Sequence, residues 1–222
     1  MSQRVVAVSI VGAAVLYAAV SMAAIAGSHH DFTTAGTGAI KDASITDTCS
    51  TCHVPHKPLQ NVPLWGHALS AANYTLYNQN TDYGGGASKS AAYDASPATL
   101  ANSPSAACLS CHDGTVNVIL TNKITNAMAY IMWDANAAVG GPGSPTAGLK
   151  GSHPVGVDYV AVRTADGAGY KDPTTFTTVK IIGSGVVKKV QCTSCHDPHN
   201  KFAKMLIGTN ANSALCIQCH NK

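Results

Sequence analysis

Cys192-Thr193-Ser194-Cys195-His196-Asp197-Pro198-His199 and, after an interval of sixteen residues, Cys216-Ile217-Gln218-Cys219-His220 decide how this chain folds. The same C-x-x-C-H pattern recurs at Cys49-Ser50-Thr51-Cys52-His53 and Cys108-Leu109-Ser110-Cys111-His112, so all eight cysteines fall into four pairs, each followed at once by His. With 10 His in 222 residues, four such placements by accident would have a chance of about four in a million. Two cysteines at i and i+3 lie on one face of a helical turn, where both can form thioethers with the two vinyl groups of one haem, and the next His is carried to the iron. The opposite axial position then takes a ligand from elsewhere in the fold. Two simpler readings compete. Exported cysteines often form a disulfide framework, and Cys192 to Cys219 also fits C-x-x-C-x20-C-x-x-C, a zinc spacing. Neither accounts for four adjacent histidines.

Cys49, Cys52, Cys108, Cys111, Cys192, Cys195, Cys216 and Cys219 are thus the expected attachment points for four c-type haems, with His53, His112, His196 and His220 as proximal ligands. Six histidines remain for four distal positions. His56 and His199 each lie three residues beyond a proximal His, in Cys-His-Val-Pro-His and Cys-His-Asp-Pro-His, where Pro stiffens the turn. So close to one haem, each is better placed to ligate a neighbouring haem and fix the spacing between two. His153 sits in the pinned loop Gly-Ser-His-Pro-Val-Gly. His30, followed by Asp31 as a candidate hydrogen-bond partner, is preferred over the adjacent His29. His67, after Trp65-Gly66, stands with His29 in reserve. Met22, Met128, Met132 and Met205 are alternative ligands whose apolar settings suit packing better.

Composition agrees with a chain built around large cofactors. Only three Phe and two Trp are available for an aromatic core, and charged residues make up 11%. The formal charge of +3 does not point to nucleic acid, and four ferric haems at about −1 each would bring the loaded protein near neutrality. At the amino terminus, Arg4 precedes a run from Val5 to Ala26 with no charged residue, ending Ala24-Ile25-Ala26 before Gly27. Residues 1–26 are expected to be a signal peptide cleaved after Ala26. A retained anchor is the alternative, since 22 uncharged residues are long enough to span a bilayer. Either way the rest of the chain is exported.

Residues 27–222 are expected to form a single tetrahaem domain, mostly irregular coil with a few short helices and one β-hairpin, wrapped around its haems. Short helices are expected at Ser105–Cys111 and Ser213–Cys219, each opened by Ser, and at Thr46–Cys52. Asn73 to Ser105, with Gly84-Gly85-Gly86, has loop composition. Asn122 to Trp133 is apolar but of ambiguous period, and the Gly/Pro run from Gly140 to Pro145 ends whatever it forms. The hairpin is expected from Thr177–Ile182 through Gly183-Ser184-Gly185 to Val186–Gln191.

Taken together, Cys52-His53-Val54-Pro55-His56, Pro63-Leu64-Trp65-Gly66-His67, His29-His30-Asp31-Phe32, Tyr74-Thr75-Leu76-Tyr77, Cys111-His112-Asp113-Gly114-Thr115, His153-Pro154-Val155-Gly156-Val157, Cys195-His196-Asp197-Pro198-His199 and the ending Cys219-His220-Asn221-Lys222 give the chain a family likeness. It resembles the multihaem cytochromes with doubled C-x-x-C-H motifs, and among them the OmcE-type extracellular tetrahaem cytochromes that polymerise into conductive filaments. The resemblance covers nearly all of residues 27–222, with Gly66 standing where the pattern has Asn. It implies two His ligands on every haem and one distal His that crosses into the adjacent subunit, with His56 as the crossing residue.

The expected function is electron transfer along four six-coordinate haems, as the subunit of an extracellular filament built by head-to-tail contacts with itself. Its electrons would pass to redox partner proteins or an extracellular acceptor. Saturated iron has no site for substrate, so an enzyme is not expected; a reductase would need one open haem. A membrane-anchored tetrahaem quinol dehydrogenase and a soluble periplasmic shuttle use the same haem chemistry and differ in their amino terminus and assembly.

Overall fold

The structure, a computed structural model, describes residues 25–38, 40–56, 64–67, 69, 73–75, 100, 103–112, 118–119, 125–126, 146–149, 153–184, 187–200 and 202–221. Among them are three short α-helices: α1 (Pro104–His112), α2 (Tyr159–Ala165) and α3 (Cys216–Cys219). Six short strands pair off in twos. β1 (Asn73–Thr75) runs parallel to β4 (Thr146–Gly148), β2 (Val118–Ile119) is antiparallel to β3 (Thr125–Asn126), and β5 (Ile182–Ser184) is antiparallel to β6 (Val187–Lys189). Asn122–Trp133 lies outside the described residues except for β3, as do Gly84–Gly86, the Gly140–Pro145 run, Met22, Met128 and Met132.

α1 starts one residue before the expected Ser105, for a reason the sequence contains. Pro104 occupies the first helical position, where its missing N–H costs nothing, and Ser103 ahead of it accepts from Ala106 N at 3.3 Å. Ser105 is released for another task described below. The expected helix at Thr46–Cys52 is a single turn, because His53 leaves it to form a β-bridge with Trp65. Ser213–Cys219 splits into a 3-10 turn, Ala211–Ser213, and α3. In the hairpin, Gly183 pairs with Lys188 and Ser184 with Val187, so both belong to β5 rather than to the expected turn.

The apolar interior is divided. Ile45 gathers Phe32, Ile40 and Cys111, while Leu100, Leu109 and Leu149 gather Tyr74 and Val155. Among the described residues, clusters this small bury little apolar surface. Side chains bonding to backbone do much of the remaining work. Asp158 caps α2 by accepting from Val160 N and Ala161 N, the Tyr159 hydroxyl donates to Lys171 O at 2.9 Å and Cys219 O at 3.1 Å, and Gln218 Oε1 accepts from the amides of Thr177, Thr178 and Val179.

Candidate haem-binding site

Each attachment motif is built on one helical turn. The N–H of the His donates to the carbonyl of the first Cys at 2.9 Å for His53, 3.0 Å for His196 and 3.0 Å for His220, and the second motif is the last turn of α1. This bond brings both cysteines to one side and carries the His past them. Asp47 fixes the first turn from outside, accepting from Cys49 N and Ser50 N at 2.8 Å each. Hydrogen bonds, first that from the Ser50 hydroxyl, hold its carboxyl below the ordinary carboxylate pKa.

The four motifs lie beside one another in sequence order. Burial, with Cys111 and Cys49 close by, pushes the Cys52 thiol up to about 12. Cys108 is raised and Cys192 lowered because the first thiol donates to the second. That junction is fastened by the fully buried Ser105, whose hydroxyl accepts from Cys192 N at 2.9 Å, and by Ser194, whose hydroxyl accepts from Gln191 N. Burial and the neighbouring Cys216 raise Cys195, and burial with Cys195 pushes Cys219 up to about 11. None of the eight cysteines is joined to another by a disulfide.

Three motif histidines face three of the expected distal residues. Ring centroids stand 5.8 Å apart for His112 and His30, 6.1 Å for His53 and His199, and 6.3 Å for His220 and His153. Two imidazoles on opposite sides of one iron have centres about 6 Å apart, from two nitrogen–metal bonds of about 2 Å plus the two ring radii. The residues present therefore fit haem iron, which asks the protein for two axial ligands. Among the described residues no group of three or more His, Cys, Asp or Glu converges as a metal site of its own.

Ring nitrogens separate ligand candidates from braces. Nδ1 meets the carbonyl of Pro154 at 3.1 Å in His153, that of Lys204 at 2.9 Å in His196, and Asp197 Oδ1 at 3.2 Å in His199. With the proton on Nδ1, each of these rings keeps Nε2 for a metal. Lys204 and Met205 adopt left-handed backbone, φ 57° and 52°, in the turn that aims the Lys204 carbonyl at His196. His67 does the reverse: its Nε2 contacts Thr51 O at 2.5 Å, and its ring meets the edge of Trp65, so it braces the first motif. Burial holds His30 below its ordinary pKa against a bond to the Pro198 carbonyl, with His199 and His29 adding to the lowering, so the neutral, ligating form is favoured.

A knot of hydrogen bonds presents His30. Asp31, 1% exposed, accepts from Gly27 N at 2.6 Å on Oδ2 and from Thr33 N at 3.0 Å and Thr33 Oγ1 at 2.6 Å on Oδ1. The chain then returns so closely that a Cβ at Gly36 would lie 1.7 Å from Asp31 O. The sequence marks Asp31 only as a neighbour of His30; its grip on Gly27 and Thr33 appears in three dimensions.

His196 and His56 remain. His56 is exposed, His196 is exposed with its Nδ1 committed, and neither ring faces another His among the described residues; His29, also exposed, likewise faces none. Met205 is half-buried in the turn beside His196.

No curated protein matches the chain. Residues 185–222 match the family described as the doubled CXXCH motif, which spans Cys192–His196 and Cys216–His220. With two adjoining motifs for covalently bound c-type haem, the chain carries the chemistry of a multihaem c-type cytochrome.

Proposed function

We propose that this protein is an electron conduit: a tetrahaem cytochrome, exported by removal of residues 1–26, whose subunits join head to tail into an extracellular filament. The observation that carries this reading is the closure of three His–His pairs within the chain, His30 with His112, His53 with His199 and His153 with His220, while His196 and His56 stay open at the surface. When bound, haem supplies iron that cycles between ferric and ferrous states and passes electrons to its neighbours. The chain's part is to hold four such groups in order, and the bond of Cys108 to Cys192, with Cys52 near enough to feel Cys111 and Cys195 near enough to feel Cys216, favours one line.

Support for the joint comes from what surrounds the two open histidines. Leu64, 49% exposed, bonds through its carbonyl to Val54 N beside His56; Phe202, 61% exposed, is tied through its carbonyl to Met205 N beside His196. Each carries a large apolar side chain in water, as an interface core does before it is covered. A contact of unlike surfaces that does not close into a ring propagates. His56 of one subunit would then complete the axial pair of His196 in the next.

Electron microscopy of material sheared from cells, for wild type and His56→Ala, tests this. Filaments in the wild type with His56 at a neighbour's iron, and single particles with one high-spin haem in the variant, are the expected results. Uniform small particles in the wild type would return the protein to a periplasmic shuttle, and a near-infrared His/Met signature would give the fourth position to Met205. A mature chain that keeps residues 1–26 would favour the anchored quinol dehydrogenase.

A further inference from the structure

The three facing pairs of histidines differ in how their ring planes lie. His53 and His199 are close to parallel, with 17° between their planes, whereas His30 and His112 are turned by 64° and His153 and His220 by 71°. The angle matters electronically, because an axial imidazole raises the iron dπ orbital that lies across its own ring plane. Two parallel rings raise one orbital and leave its twin behind; two crossed rings raise both alike. The first pair also has a neighbour that fixes its angle. His53 and Trp65 face each other across an antiparallel bridge, flanked by the bond from Val54 N to Leu64 O at 2.8 Å and that from Gly66 N to Cys52 O at 2.9 Å. Residues that stand opposite between two such bonds bring their side chains closest together. The indole accordingly meets the imidazole as a T, with centroids 5.9 Å apart and 84° between the planes.

The indole is itself held on two further sides. Its Nε1–H donates to Ser110 Oγ at 3.3 Å, and Ser110, buried in α1, donates its own proton to Ala107 O at 2.6 Å. Two positions along the chain, the His67 ring meets the indole at 5.7 Å and is in turn tied to Thr51 O. Trp65 thus touches both the proximal His of the first motif and a residue between the two cysteines of the second. We propose that Trp65 is a positioning residue for electron transfer: anchored on Ser110, it holds the His53 ring parallel to that of His199, so that the first haem offers the electron one directed orbital where the other two paired haems offer two. The proposal rests on the electron-conduit reading and deepens it, since it makes one station of the line differ from its neighbours. A side chain needed only to fill space here could be any apolar one. The bond to Ser110 adds direction, because turning the indole, and with it His53, would break that bond against a buried hydroxyl.

Frozen-solution electron paramagnetic resonance of the ferric holoprotein reads this angle. Parallel rings split the iron orbitals and give three well-resolved g values, whereas crossed rings leave them nearly degenerate and give one strongly shifted low-field feature. Wild type is expected to show one haem's share of the resolved signal, assigned to the first haem by its loss in His199→Ala. In Trp65→Leu that share is expected to pass to the low-field form with the iron still low-spin. Because Trp65→Leu can fail to mature, Ser110→Ala leaves the indole in place without its anchor and is expected to move the same share in the same direction. A merely structural role would not do this, since a folded variant whose ring has not turned keeps the wild-type g values. A resolved share unchanged in Trp65→Leu, or in Ser110→Ala where that is the variant recovered, overturns the role of Trp65. A wild type whose first haem is low-spin without any resolved share overturns it too, and both results leave the conduit reading in place. High-spin iron at the first motif of the wild type overturns the His53–His199 pair and the conduit reading with it.

Discussion

Residues 153–221 and residues 25–56 hold their histidines by different means. In the carboxyl-terminal stretch, distant parts of the chain bond to one another without any cofactor: Tyr159 reaches Lys171 and Cys219, Gln218 reaches three amides some forty positions away, and Asn221 N donates to Gly169 O. Its buried apolar residues, Val157, Tyr159, Val162, Val179 and Leu215, come from three separate segments. In the amino-terminal stretch the carboxylates of Asp31, Asp42 and Asp47 each close a turn on residues two to four positions away, and Ile25 and Ile45 supply the buried apolar side chains. One region is knit over long range; the other is a string of local knots. Local knots set the direction of a side chain but not the position of one knot relative to the next, so His30–His112 and His53–His199, with Ile45 packed against Cys111, register the amino-terminal region against the rest.

The largest effect should follow from cutting one of those links. His199→Ala removes the ring that faces His53, and we expect one haem's share of the low-spin ferric signal to become high-spin, with hydrogen exchange accelerating across residues 40–56 more than across 153–184. Equal acceleration in both would break the contrast. A smaller effect, confined to the other region, is expected from Tyr159→Phe: losing one hydroxyl that serves two carbonyls should cost about 1–3 kcal/mol, read as faster exchange in 153–221 with the amino-terminal turns unchanged. The smallest is expected from Asp47→Ala. Its carboxylate caps the first-motif turn from a largely exposed position, so solvent screening limits the loss to about 0.5–1 kcal/mol. Since the folded pKa of Asp47 lies below its ordinary 3.8, this contribution is complete above that value and fades as pH falls through the lower folded one. Soret circular dichroism of the first haem in an acid titration should therefore separate wild type from variant near neutrality and merge them at the acid end.

Much of the site was legible in the residues themselves, because covalent haem attachment demands a fixed local spacing: two cysteines one helical turn apart and a His directly after them leave a signature that survives without knowing the fold. The helix expected from Ser105 begins one residue earlier, at Pro104, and the strand-turn-strand pattern leads to the hairpin of β5 and β6, although Gly183 and Ser184 join β5 because register belongs to the paired backbones. Among the six remaining histidines the sequence put His30, His56, His153 and His199 ahead of His67 and His29 as distal candidates, without saying which ring meets which. His199 facing His53, His153 facing His220, and His67 spent on Thr51 O are relations between residues as far as 146 positions apart, and no spacing rule reaches that distance. Ser105 shows the same limit: by pattern it opens a helix, in space it ties the second motif to the third. By itself the sequence marked the motifs for covalently bound c-type haem, since that chemistry is local. Only the tertiary structure decided which rings meet and which two stay open, since that follows from how separate turns pack.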